Sequence, residues 1–240
     1  MSADTQKRAA ADFALKVVEN DMKIGLGTGS TTNYFIEAAA AKVKREKLNT
    51  IFVPTSAPTY ALAQKLGMNL STIEDAPFLD FTVDGADEID PQFRMIKGGG
   101  GALHREKIVA SSSRFVVCLC DKSKMVDTLG KFPLPVEVSK FGVNPTAWKI
   151  ERALGALGYT KPQMRLRANS DGKPFITESG NAIIDLKLEK IIDPDRLEGV
   201  LNNMPGVIEV GLFIGICGIV MVGTENGVEE ITRPNAALKP

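Results

Sequence analysis

Residues 23–47 read KIGLGTGSTTNYFIEAAAAKVKREK, and their order decides the fold. KIGLG is a short apolar strand, Gly25, Gly27 and Gly29 let the backbone turn tightly, and Ser30, Thr31 and Thr32 mark a helix start. The alternation continues outward. Residues 4–19 carry helical periodicity, with Phe13, Val17 and Val18 apolar among Lys7, Arg8, Asp12 and Lys16. Downstream come IFVPT (strand), APTYALAQKLG (helix, Gly67 as its C-cap), FTVD (strand), ALHREKIVASS (helix) and RFVVCLC (buried strand). Strands alternating with helices predict a parallel sheet with helices on its faces.

The grammar changes after DKSKMVDTLGKFPLP, where Gly130, Pro133 and Pro135 mark a domain boundary. Beyond it the chain reads strand (PVEVS), helix (PTAWKIERALGALG), strand (QMRLR) and a strand before Gly180-Asn181. A further strand (AIIDLKL), a helix (DPDRLEGVLNNM) and a strand (VIEVGLF) follow. The order predicts a split βαβ, ferredoxin-like α+β domain. GIVMVGTENGVEEIT reads as a hairpin around Asn226-Gly227 that returns to the first sheet. The expected domains are therefore 1–130 with 207–240, Rossmann-like, and 131–206, an inserted ferredoxin-like domain.

Composition excludes several classes. The chain has 240 residues, and Lys+Arg and Asp+Glu both number 29, so no charge footprint suits nucleic acid or an anionic membrane. An anionic ligand must be held locally. No apolar run approaches the ~20 residues of a membrane span, and MSADTQKRAA lacks a signal-peptide core. Cys118, Cys120 and Cys217 are too few and odd for a disulfide framework. Cys118 and Cys120 alternate along one strand as core residues, which points to the cytoplasm.

Three segments fall at the carboxyl edge of the predicted sheet, where open α/β sheets bind ligands. GLGTGSTT (25–32) offers helix N–H groups and the hydroxyls of Thr28, Ser30, Thr31 and Thr32 to an anion. Thr32 replaces the last glycine of the dinucleotide fingerprint, and no Gly-Lys pair makes a P-loop, so the loop suits a single phosphate. DGADEIDPQFRMIKGGGGALHREK (84–107) sets Asp84 and Asp87 ahead of Lys97, four glycines and Glu106. Gathering such charge costs free energy unless each group is paired or used. The pattern suggests acid–base chemistry. DKSKM (121–125) adds Lys122 or Lys124 as a counter-charge.

The chain resembles the type A ribose-5-phosphate isomerases in GLGTGST (25–31), VDGADEID (83–90), IKGGGGALHREK (96–107), DKSKMVDTLGKFPLPVEV (121–138) and PGVIEVGLF (205–213). These stretches span most of the chain in the family's order. The resemblance implies a Rossmann-like domain with an inserted ferredoxin-like one. It also implies interconversion of ribose 5-phosphate and ribulose 5-phosphate in the pentose phosphate pathway, with no metal and no cofactor. The partner is a small sugar phosphate, and the assembly a homodimer or homotetramer. Carried over by motif, Glu106 is the proton acceptor, with Asp84, Asp87 and Lys97 catalytic. Thr28, Gly29, Ser30, Thr31, Gly85, Ala86, Gly98, Gly99, Gly100 and Lys124 contact substrate, and Lys7 sits near the phosphate. GLFIGICGIVMVG (211–223) is more apolar than in relatives, and His104 carries no family role.

Moving a carbonyl from C1 to C2 takes a proton from one carbon and returns it to its neighbour. One carboxylate reaching both carbons performs both steps, and Lys97 with glycine N–H groups can hold the enediolate oxygens between them. Two rivals share the fold: a coenzyme A transferase, which needs a groove for a nucleotide thiol, and a sugar-phosphate sensor, which needs no glutamate beside the glycines.

Overall fold

The computed structural model describes residues 2–234. Along the chain its elements are α1 (Ala3–Ala14), β1 (Lys23–Leu26), α2 (Ser30–Glu46), β2 (Ile51–Pro54), α3 (Ala57–Lys65), β3 (Phe81–Gly85), β4 (Glu88–Ile89) and β5 (Met95–Ile96). They continue with α4 (Leu103–Ser111), β6 (Val116–Asp121), β7 (Leu134–Val138), α5 (Val143–Ala156), β8 (Gln163–Leu166) and β9 (Ala182–Lys187). The last are α6 (Pro194–Asn202), β10 (Val207–Val210), β11 (Leu212–Phe213), β12 (Cys217–Thr224) and β13 (Gly227–Thr232).

Two compact units divide the chain. Among the described residues, the first takes 2–86, Arg105–Met125 and 215–234; the second takes Asp87–His104 and Val126–Ile214. Residues 87–104, 126–130 and 207–214 thus fall with the second unit, whereas the sequence-based boundaries assign them to the first. Residues 1 and 235–240 of the expected first domain lie outside the described residues.

The first unit carries a six-stranded sheet in the order β13-β12-β6-β3-β1-β2, parallel except for the terminal β12–β13 hairpin. The expected return of this hairpin to the first sheet is what the structure shows. Phe35, Ile36 and Ala39 of α2 are fully buried with Ile24, Leu26, Phe52 and Val83 of the strands, so the helix buries the stripe its periodicity predicts. Strand β1 lies between β2 and β3, which makes its end the point where strand order reverses. Loops after β1 and β3 therefore emerge side by side. Helix α1 ends at Ala14, short of the expected residue 19, with one 3-10 turn at Leu15–Val17. The β-branched pair Val17-Val18 and the turn at Asp21, whose φ is +61°, stop it.

In the second unit, β10-β7-β9-β8 form an antiparallel four-stranded sheet. Ile150 and Leu154 of α5 and Leu197 and Leu201 of α6 pack on Leu134, Val136 and Val138. This is the expected ferredoxin-like order, but the strand expected before Gly180 does not form. There only the isolated bridges Ala168↔Pro174 and Ile176↔Ala182 occur. Pro174 has no N–H to extend a ladder, and a tight turn closes between Asn169 and Lys173. VIEVGLF is also divided: β10 stops at Val210, and β11 joins β5 and β4 in a separate three-stranded sheet. Among the described residues, no helix is long and apolar enough to cross a membrane.

Candidate active site

The candidate residues divide between the two units. In the first, the glycine loop after β1 meets the end of β3. Any side chain at Gly27 would collide with the Asp84 carboxylate, so only glycine lets the loop lie this close. Asp84, 2 % exposed, accepts N–H groups from Thr28 (3.2 Å) and Gly85 (2.8 Å) through Oδ1. The carboxylate is thereby fixed at the strand end.

Thr28 also anchors a hydroxyl cluster. Its hydroxyl donates to Ser56 Oγ at 2.8 Å and lies 2.9 Å from Thr55 Oγ1. Thr59 donates to the Gly27 carbonyl at 2.9 Å, and Thr55 to the Leu26 carbonyl at 3.0 Å. Thr55, Ser56 and Thr59 are buried. Sequence reasoning missed them as parts of the site, although Thr55 and Ser56 end a strand at the same sheet edge. Gly29 and Ser30 are exposed and Thr31 half-buried at the start of α2, where helix N–H groups and the positive end of the dipole favour an anion. Lys7 of α1 donates to Ser30 Oγ at 3.3 Å, bringing its ammonium to this loop.

Two more elements complete the first unit's share. Glu106 stands in the first turn of α4, 3 % exposed, where the dipole also favours a carboxylate. Lys124 lies half-buried in the 3-10 turn after β6, held in shape by Asp121, which accepts the Ser123 N–H at 3.0 Å. Lys122 is exposed and pairs with Glu229 of β13 at 3.8 Å, so of the two lysines Lys124 is the more enclosed. Gly85 and Ala86, both half-buried, lead out of β3.

In the second unit, Asp87 accepts the Gly99 N–H at 2.8 Å through Oδ2. A Cβ at Gly99 would lie 2.6 Å from the Asp87 carboxylate and 3.0 Å from the Phe132 ring. Gly98 and Gly101 hold φ of +106° and +83°, conformations open chiefly to glycine. Gly100 is exposed, as Gly99 is. Lys97 is 4 % exposed, its N–H bonded to the Gly211 carbonyl at 2.9 Å and its ammonium 5.3 Å from the Phe213 ring. Glu88, also buried, accepts the N–H groups of Gly130 (2.7 Å) and Phe132 (2.6 Å), which sets Phe132 against the glycines. His104 lies 4.0 Å from Glu209.

The family described as ribose 5-phosphate isomerase A (phosphoriboisomerase A) matches residues 51–227. The chain belongs to the ribose 5-phosphate isomerase A family. It is 51 % identical over 231 residues to ribose-5-phosphate isomerase A of Parvibaculum lavamentivorans, covering 96 % of this chain and 99 % of that one. Against the Rhodopseudomonas palustris (strain BisB18) protein it is 47 % identical over 98 % of this chain and 100 % of its relative. Among solved structures, the isomerase of Plasmodium falciparum superposes with a TM-score of 0.90 at 34 % identity, covering 95 % of this chain and 98 % of its own. A D-ribose-5-phosphate isomerase in complex with phospho-erythronic acid gives 0.88 at 42 % identity, covering 97 % and 100 %.

Proposed function

We propose that this enzyme interconverts D-ribose 5-phosphate and D-ribulose 5-phosphate, in the non-oxidative branch of the pentose phosphate pathway, by proton transfer through an enediolate. The observation that carries the mechanism is Glu106, a carboxylate buried in the first turn of the helix that follows the glycine run. Glu106 takes the C2 proton of the open-chain aldose and returns it to C1. Lys97 and the N–H groups of Gly98 and Gly100 hold the negative charge that gathers on the C1 and C2 oxygens. Asp84 and Asp87 exchange protons with the sugar hydroxyls and assist ring opening. Both are oriented for this by backbone donors, Asp84 by Thr28 and Gly85, Asp87 by Gly99.

The phosphate rests on Thr28, Gly29, Ser30 and Thr31, with Lys7 and Lys124 supplying positive charge. A net charge of zero makes this local arrangement necessary and argues against nucleic-acid or membrane partners. We further infer a cytoplasmic homodimer or homotetramer. Phospho-erythronic acid, the ligand of the solved relative, ends in a planar carboxylate that resembles the enediolate, and it is expected to inhibit this enzyme.

The test is a direct assay of ribulose 5-phosphate formation from ribose 5-phosphate, with free ribose alongside. Turnover of the phosphate and very poor turnover of ribose are expected. Absence of turnover, or equal efficiency on both, contradicts the assignment.

A further inference from the structure

One half-buried cation touches the carbonyls of the glycine run. Arg167, in the irregular stretch after β8, forks onto Asp185 of β9, with Nε–Oδ2 at 2.9 Å and NH2–Oδ1 at 2.5 Å. Its remaining amino group donates to the carbonyls of Gly98 (2.8 Å) and Gly99 (3.1 Å). The guanidinium also lies 5.9 Å from the Phe175 ring, and a Cβ at Gly101 would meet that ring at 2.5 Å. Arg167 is itself tied into the backbone: its N–H donates to Ile183 O and its carbonyl accepts the Phe175 N–H, both at 2.8 Å.

We propose that Arg167 is a positioning residue for the isomerisation, setting the peptide planes of the glycine run; this rests on the function proposed above. A trans peptide directs its C=O and N–H to opposite sides. With Arg167 drawing the Gly98 carbonyl, the Gly99 N–H is delivered to Asp87. With Arg167 drawing the Gly99 carbonyl, the Gly100 N–H is turned away from Arg167, as an oxyanion donor must be. Glycines have no side chains to hold such planes in place. A guanidinium locked by a bidentate carboxylate supplies the rigidity from outside. Its charge also polarises the peptides it grips, which strengthens their N–H groups as donors. The group touches no reacting atom.

The test compares wild type, Arg167→Met and Arg167→Lys in steady-state kinetics with ribose 5-phosphate. Inhibition by phospho-erythronic acid and by inorganic phosphate is measured on each. Losing a direct oxyanion donor costs about 10²–10³ in kcat, so losing its support in Arg167→Met is expected to cost about 10–10². KM should stay within about threefold, because the phosphate is held elsewhere. Inhibition by phospho-erythronic acid should weaken in step with kcat while inhibition by phosphate holds. Arg167→Lys keeps the charge but cannot fork Asp185, and should recover part of the loss. Turnover of Arg167→Met within threefold of wild type, or equal weakening of both inhibitors, overturns the proposal. If Arg167→Met does not fold by circular dichroism, Asp185→Asn replaces it, leaving the arginine present but its fork weakened. A kcat loss of about fivefold or more is then expected, and an unchanged kcat overturns the proposal. Wild type without isomerase activity would instead strike the functional reading itself.

Discussion

Two glycine-rich loops serve this enzyme, and they are held by different means. The loop at 25–31 is fastened by its own sheet: Asp84 comes from the adjacent β3, and Thr55, Ser56 and Thr59 from the end of β2 and the start of α3. Its shape follows from strand order. The loop at 97–101 has main-chain bonds from Lys97 to the Gly211 carbonyl and from Gly101 to the Gly98 carbonyl, and side chains supply the rest of its support. Asp87 and Phe132 hold one side, Arg167 and Phe175 the other, and the last two come from a stretch with no strand or helix. A loop built by parallel strands suits a static anion such as phosphate. A loop held by individual side chains can be aimed at charge that exists only during reaction, so perturbing the first should raise KM and perturbing the second should lower kcat.

The largest effect belongs to neither loop. Glu106→Gln keeps the shape but removes the proposed base, and kcat should fall by about 10²–10⁴ with a smaller change in KM. Near-normal turnover would mean that the loops alone carry the rate.

Gly99→Ala presses a methyl group against Asp87 and Phe132. It should lower kcat by about tenfold or more, with little change in the KM for ribose 5-phosphate, as expected for an interaction made in the transition state. Thr28→Val removes one hydroxyl from the loop proposed to hold the phosphate and should raise KM by about tenfold or more, the worth of one hydrogen bond to a charged group. If both substitutions move the same kinetic constant, the contrast between the loops is wrong.

The smallest effect lies in β12, a strand of the first unit's sheet. Burial pushes the Cys217 thiol well above its ordinary value, and the neighbouring Cys118 adds to the rise. Iodoacetamide at pH 8 should leave Cys217 unmodified and activity unchanged, as checked by peptide mass spectrometry. The unfolded thiol ionises first, so its contribution to stability is present below about pH 8.5 and is lost as pH rises above it. A Cys217→Ala variant should therefore lose less stability between pH 8 and 10 than wild type, measured by urea unfolding.

The contrast also explains what the sequence made legible. GLGTGST, DGADE and DKSKM announce themselves because each is a local pattern at a strand end, and strand ends in a parallel sheet converge. The terminal hairpin was equally readable from Asn226-Gly227. Arg167 was not, because its bonds join residues 69 positions apart. Strands β4 and β5 have two residues each, too few to show a period of two, so the shift of 87–104 into the second unit went unseen. The strand expected before Gly180 failed for the opposite reason: apolar residues were present, but Pro174 and the turn at Asn169 denied them a ladder.

The central claim is that a single carboxylate carries the proton between adjacent carbons. During transfer the C2 hydrogen of ribose 5-phosphate resides on Glu106, where it can exchange with solvent before delivery to C1. Single-turnover conversion in D₂O, followed at C1 of ribulose 5-phosphate by NMR, tests this directly. Deuterium at C1 from the first turnover is the expected result. Complete retention of the original hydrogen at C1, together with activity abolished by a chelator, would point to a direct hydride shift and contradict the account.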